Sequence, residues 1–260
     1  MRRHFLPLLL LLLAPTVLAQ SSAREVVDQM RDAYAEMLDG VDDYTVVSDL
    51  YTMYYQRVPG GGPLDFRSSV EMEGMGSLGS SNMGTAAFDQ DQLDRIAANA
   101  TYEGTADVEG RPAHVLYFPD MDVLSEEPTG EQGSGRMYVD AEMMMPVKMD
   151  MEVENDGRMM QVLIHMKDYR EVDGMTYPFL MVMEMPNMAD QMSPEERQQL
   201  EQMEREMANM PAEQREMMER MMGDQLAKLK EALAGGSFTQ EIAVTELRVN
   251  AGVPADTFDD

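Results

Sequence analysis

The sequence predicts an α+β protein: an antiparallel sheet with one apolar face, joined to an N-terminal helix and a short middle helix. Three observations lead there. An apolar stripe at helical spacing follows the leader, later segments alternate apolar and polar residues at a period of two, and Gly, Pro, Asn and Asp cluster between them. Only one methionine-rich stretch near the C-terminal end interrupts the run of strands.

The chain opens on "MRRHFLPLLLLLLAPTVLAQ", two arginines before an apolar run that ends in Val17-Leu18-Ala19, a small-residue cleavage pattern. Residues 1–19 therefore read as a secretory signal peptide cut after about Ala19, with an apolar core too short for a lasting span. Its leucine-rich core favours general export over the twin-arginine route. The expected location is periplasmic, with residues 20–260 as one domain carrying an insertion at 187–236. No later stretch is long and apolar enough to cross a bilayer, so an integral membrane protein is not expected. The 260 residues include 48 acidic and 20 basic ones, a net charge of −28, which excludes nucleic acid and anionic membrane surfaces as natural partners. Cysteine is absent, so neither disulfides nor thiolate chemistry are available.

The elements follow in order. In "SSAREVVDQMRDAYAEMLDG", Val26, Val27, Met30, Tyr34, Met37 and Leu38 share a helical face and Gly40 stops it. "DYTVVSDLYTMYYQR" and "LDFRSSVEMEG" have strand composition and flank the loop "VPGGGP". "FDQDQLDRIAANA" reads as a short helix capped by Asp89, with Gln92 at the capping-box position. "TYEGTADVEGRPAHVLYFPD" predicts a hairpin turning at Glu109-Gly110, and "DVLSEEPTGEQGSG" a polar loop. Beyond it, Met149, Met151 and Val153 alternate with charged residues, an Asn-Asp-Gly turn follows, and Met160, Val162, Ile164 and Met166 share a face of the returning strand. "MTYPFLMVMEMP" sets Met181, Met183 and Met185 at two-residue spacing, and "FTQEIAVTELRVN" closes the chain as a strand.

Residues 187–236 change period. Ser193, Pro194 and Glu196 form a helix start, and Leu200, Met203, Met207 and Met210 recur at three- and four-residue intervals until Pro211. Met217, Met218, Met221, Met222, Leu226, Leu229 and Leu233 continue the stripe to Gly235-Gly236. The stretch predicts a helical hairpin inserted between two strands. Its surface Leu200, Met203, Met207, Met210, Met218, Met221 and Met222 suits a lid or a partner. A third reading is a thioether site for Cu(I) or Ag(I), since soft sulfur selects those ions. Spacing favours the apolar stripe, and the histidines beyond the signal peptide, His114 and His165, fall on separate strands. No metal or other cofactor is expected.

Other motifs fail for lack of context. "GMGSLG" fits a dinucleotide pattern through Gly74, Gly76 and Gly79, but polar and glycine-rich residues follow where a helix should open, and no βαβ unit surrounds it; it reads as a loop. Glu126 and Glu127 sit in a polar loop. Neither a nucleophile elbow nor a zincin motif is present, and no catalytic residue emerges. An enzyme is not expected.

The order of pieces resembles the periplasmic outer-membrane lipoprotein carrier, or lipoprotein-sorting, family. The likeness runs through the helix before "DYTVVS", the "GTADVEGRPAHVLYF" hairpin, "MYVDAEMMMPVKMDME", "DYREVDGMTYPFLMVMEM" and the final "VTELRVNAGVPADTF". The resemblance implies a curved, incomplete β-barrel closed by helices over an apolar cavity, with lipoprotein or lipid as cargo. It also implies a functional arginine on an early strand, for which Arg57 and Arg67 are both placed. Under this reading Met149, Met151, Val153, Met160, Val162, Ile164, Met166, Met181, Met183 and Met185 line the ligand site; the plain alternative is that they pack as core. The competing functional reading is a non-catalytic envelope scaffold that docks a protein partner through the helical hairpin.

Overall fold

The structure, a computed structural model, describes residues 22–72, 76–77, 88–124, 133–155, 158–186, 237–255 and 257–258, with Gln198, Gln202 and Arg205 singly. Helix α1 spans Ala23–Met37 and α2 spans Gln90–Asn99. The strands are β1 Asp43–Ser48, β2 Tyr51–Arg57, β3 Phe66–Met72, β4 Gly76–Ser77, β5 Thr101–Val108, β6 Arg111–Phe118, β7 Gly133–Asp140, β8 Pro146–Asn155, β9 Arg158–Val172, β10 Met175–Met185 and β11 Phe238–Val249. A 3-10 turn at Met121–Leu124 precedes β7.

Both helices begin as their sequences dictate. Ser22 accepts from the Glu25 amide at 3.2 Å, and the Glu25 carboxylate accepts from the Ser22 amide at 2.7 Å. Asp89 and Gln92 repeat that reciprocal cap on α2. Val26, Val27, Met30 and Tyr34 turn one face of α1 into the core, and Leu93 and Ile96 do the same for α2. Arg31 ties the two helices together through Asp94 at 2.7 Å.

The strands form one antiparallel sheet of eleven, in the order β4-β3-β2-β1-β11-β10-β9-β8-β7-β6-β5. The last strand lies in the middle, with Val46 opposite Leu247 on one side and Met181 opposite Ile242 on the other. Strands β4 and β5 end the row without pairing to each other, so the sheet is not closed into a barrel. It is nonetheless curved. Val70 of β3 and Phe118 of β6 belong to one core cluster with both helices. A flat sheet would hold strands eight places apart by about 38 Å. Bulges at Val47/Ser48, Tyr102/Gly104 and Tyr138/Val139 increase the bending, and Gly104 takes φ +110° at the second.

Most sequence expectations stand where they were placed, including the Glu109-Gly110 turn with φ of +53° and +86°. Three details differ. "DYTVVSDLYTMYYQR" is a hairpin rather than one strand, because the Ser48 hydroxyl accepts from the Leu50 and Tyr51 amides and reverses the chain without glycine. Gly133-Ser134-Gly135, assigned to the polar loop, opens β7. Gly76-Ser77, also assigned to a loop, pairs with Met72 and Glu71 as a short edge strand. The Asp156-Gly157 turn, Glu126 and Glu127, and the signal peptide lie outside the described residues. So does the 187–236 hairpin with Leu200, Met203, Met207, Met210, Met218, Met221 and Met222, apart from the three single residues above.

Candidate functional site

The ten residues proposed as lining form one contiguous patch. Directly opposed residues in an antiparallel pair share a face. Met149 stands opposite Ile164, Met151 opposite Val162 and Val153 opposite Met160. On the other side of β9, Met166 stands opposite Met181 and Ile164 opposite Met183. Ile242 and Phe238 extend the rows onto β11 opposite Met181 and Met185. The patch measures roughly 10 Å across the strand axes of β8 to β10 and about 20 Å along β9.

This face is continuous with the core yet separate from it. Along β10, Met175, Tyr177 and Phe179 belong to the core cluster, and burial then fades from Met181 to the half-buried Met183 and Met185. Of the ten residues, only Met149 packs against the cluster that holds α1 and α2. The helices fill one part of the concave side and leave the methionine part beyond them. Chemically the patch offers dispersion and apolar area from flexible thioethers, with almost no hydrogen-bonding capacity. It holds no nucleophile and no general base.

Two glycines extend it onto β7. Gly135 lies opposite Met151, and a methyl group added there would meet Met121 Sδ at 2.8 Å and the Asp150 carbonyl at 3.1 Å. The missing side chains at Gly133 and Gly135 thus make room for Met121 of the 3-10 turn, which folds against the end of the patch. Sequence reading missed these residues. Their two-residue spacing in "GSGRMYVD", on the same face as Met137, is the signal that marks them.

The arginines have other duties. Arg57 Nε donates to the Val41 carbonyl at 2.8 Å, Nη2 to the Leu38 carbonyl at 2.6 Å, and Nη1 to the Pro63 and Gly62 carbonyls at 2.9 and 3.2 Å. Its guanidinium also stands 4.7 Å from the Phe66 ring centre. It is a clamp on the C-terminal end of α1, where carbonyls lack helical partners. Arg67 binds the Gln56 side chain and lies over the Phe258 ring at 4.2 Å. Neither has a partner on the methionine face.

His114 and His165 are not brought together. His114 Nδ1 lies 3.1 Å from the Tyr102 hydroxyl, and burial holds its pKa below the ordinary value. His165 stands opposite Lys148 and Val182. Its pKa is also held down, first by burial and then by Lys148 and Lys167. Among the described residues no group of three or more His, Cys, Asp or Glu is arranged to hold a metal ion.

A cavity of about 360 Å³ opens where the β5–β6 turn approaches the Met166–Tyr169 stretch of β9. Val108, Val147 and Tyr169 wall it, and Glu109 and Lys167 form an ion pair at its edge. Arg111 Nε stands 2.8 Å from the buried Asp140 without hydrogen-bond alignment, while Asp140 Oδ1 accepts from the Glu142 and Met143 amides. Sequence alone gives no signal for this cavity, because it is assembled from separate turns.

No family model matches the chain, and no curated protein matches it. Among solved structures, it is similar to a DUF1329 family protein from Desulfovibrio piger, at 11% identity, with 91% of this chain and 95% of that one covered and a TM-score of 0.44. It is similar to a Vibrio parahaemolyticus protein described as an outer membrane lipoprotein-sorting domain, at 10% identity, 91% and 96% coverage and a TM-score of 0.45. A third is a LolA superfamily protein from Nitrosomonas europaea, at 9% identity, 92% and 98% coverage and a TM-score of 0.39. Among the described residues no helix is long and apolar enough to cross a membrane.

Proposed function

We propose that the protein is an exported, non-catalytic binding protein that holds an apolar ligand against the methionine face. The ligand class is the acyl chain of a lipoprotein or lipid, or an apolar peptide. One observation carries the reading: ten apolar side chains on three adjacent strands are paired row by row, seven of them half-buried with Val162, Met166 and Met181 buried among them, and nine of the ten stand outside the core cluster. A sheet that only needed a core would not extend so large an apolar face past its helices. The signal-like residues 1–19 support a periplasmic location for this face, where acyl chains need shelter from water.

The energetics suit such a ligand. Each buried methylene contributes about 0.8 kcal/mol, so ten give about 8 kcal/mol gross, the micromolar range before the costs of association. Methionine rotates and polarises readily, so one face fits chains of different length. The chain's net charge of −28 repels anionic bilayers and keeps the loaded protein off them.

The test is native mass spectrometry of the mature protein purified without detergent, then organic extraction and uptake of a fluorescent fatty acid. Bound acyl material, and uptake abolished by Ile164→Glu in a protein of unchanged circular dichroism, would support the proposal. A bare mass with no uptake would overturn it.

A further inference from the structure

Resting on that reading, we infer that the methionine face is also a modification site. Sulfoxidation of Met149, Met151, Met160, Met183 and Met185 by a hydroperoxide switches it from apolar to polar and releases the ligand.

Among the described methionines three environments stand out. Met30, Met53, Met137 and Met175 are between 0 and 1% exposed, sealed in the core. Met149, Met151, Met160, Met183 and Met185 are half-buried on the ligand face. Met159 is 53% exposed and pairs with Glu154, so it lies on the opposite face. An oxidant in solution therefore reaches the ligand-face sulfurs without unfolding the protein, while the core sulfurs stay shielded. Packing alone does not require sulfur here, since leucine fills a similar volume. The chain has no cysteine, so no thiol competes for the oxidant.

The step balances with hydrogen peroxide. A thioether lone pair attacks one peroxide oxygen, a sulfur–oxygen bond forms and the oxygen–oxygen bond breaks. The departing hydroxide takes the remaining peroxide proton and leaves as water. Sulfur loses two electrons and the peroxide gains them. The new sulfoxide oxygen is a strong acceptor among Val162, Ile164 and Val153, which offer no side-chain donor. It is hydrated while the face is empty and must be stripped of water when an acyl chain lies on it, so affinity falls.

The experiment uses the full mature chain and a fluorescent fatty acid. Hydrogen peroxide is titrated in, added oxygens are mapped by peptide mass spectrometry, and probe affinity is measured at each dose. Expected are oxidation of Met149, Met151, Met160, Met183 and Met185 ahead of Met30, Met53, Met137 and Met175, and an affinity loss of about tenfold or more, the cost of at least one unpaired polar group. A variant with all five ligand-face methionines changed to leucine should bind the probe equally before and after the same dose, whatever its starting affinity, and Met159→Leu should lose affinity as wild type does. If the five-site variant folds poorly, Met185→Leu at the strand end alone should blunt the loss. Methionine sulfoxide reductase with a thiol reductant should restore wild-type binding. Wild type that retains affinity with all five residues oxidised overturns the inference, as does an equal loss in the five-site variant. Reduced wild type that takes up no probe overturns the ligand reading itself, and this inference with it.

Discussion

Arg57 permits a quantitative test of the distinction between a clamp and a ligand-handling arginine. Replacing it with methionine preserves most of the stem and removes the guanidinium. Two lost hydrogen bonds, to Leu38 and Val41, are part-buried. Charge-assisted bonds of that kind contribute roughly 1.5 kcal/mol each at the low end. The bonds to Gly62 and Pro63 are exposed, so water replaces them at little cost. The guanidinium over Phe66 adds about 0.5–1 kcal/mol. Arg57→Met should therefore lose about 3–4 kcal/mol. With a urea slope of about 2–3 kcal/mol per molar, the unfolding midpoint should fall by more than about 1 M. Arg57→Lys should show most of the same loss, because a point charge cannot bridge carbonyls of a helix end, a loop and a turn at once. Arg67→Met should move the midpoint little, since its Gln56 contact is exposed. An unchanged midpoint in Arg57→Met, read by fluorescence and circular dichroism together, would refute the clamp.

Other expectations are shorter. Met30→Ala empties a fully buried site under α1 and should cost about 2–5 kcal/mol in urea unfolding. Arg111→Met leaves the buried Asp140 with its two amide donors but no cation; allowing for the half-exposed guanidinium, a loss of about 1–3 kcal/mol is expected by the same assay. His165 has a folded pKa below its ordinary 6.5, so the unfolded chain takes up the proton first as pH falls. Its contribution is complete above about pH 6.5 and is lost as pH falls through the folded value. His165→Gln should accordingly flatten the thermal stability profile between about pH 7 and pH 5 relative to wild type.

What the sequence made legible was whatever is decided within a few residues. The Ser22/Glu25 and Asp89/Gln92 caps, the Glu109-Gly110 turn and the two-residue rhythm of Met181, Met183 and Met185 are local facts, and each stands in the structure. The methionine patch was legible for the same reason: alternation on three strands becomes one face once those strands pair in sequence order. The reversal at Ser48 escaped because a hydroxyl there does what glycine or asparagine usually does. The duty of Arg57 escaped because its partners, Leu38, Val41, Gly62 and Pro63, come together only when β2 lies beside the end of α1. The cavity beside Tyr169 is non-local in the same way. No pattern in residues 108–111 announces a meeting with residues 166–169.

The position of β11 has a consequence for how the molecule comes into being. Strands β1 to β4 form one meander and β5 to β10 another, and only β11 is hydrogen-bonded to both. A ribosome makes that strand after every other described element. Until residues 238–249 emerge, the two halves share no ladder, and the sheet's longest-range pairing, Tyr44 with Val249, does not exist. Until then the halves are held by helix packing and the Arg31–Asp94 pair but by no strand ladder. A polypeptide ending at residue 237 would then be a sheet lacking its keystone, and a peptide of residues 238–258 supplied separately would dock between β1 and β10 to complete it.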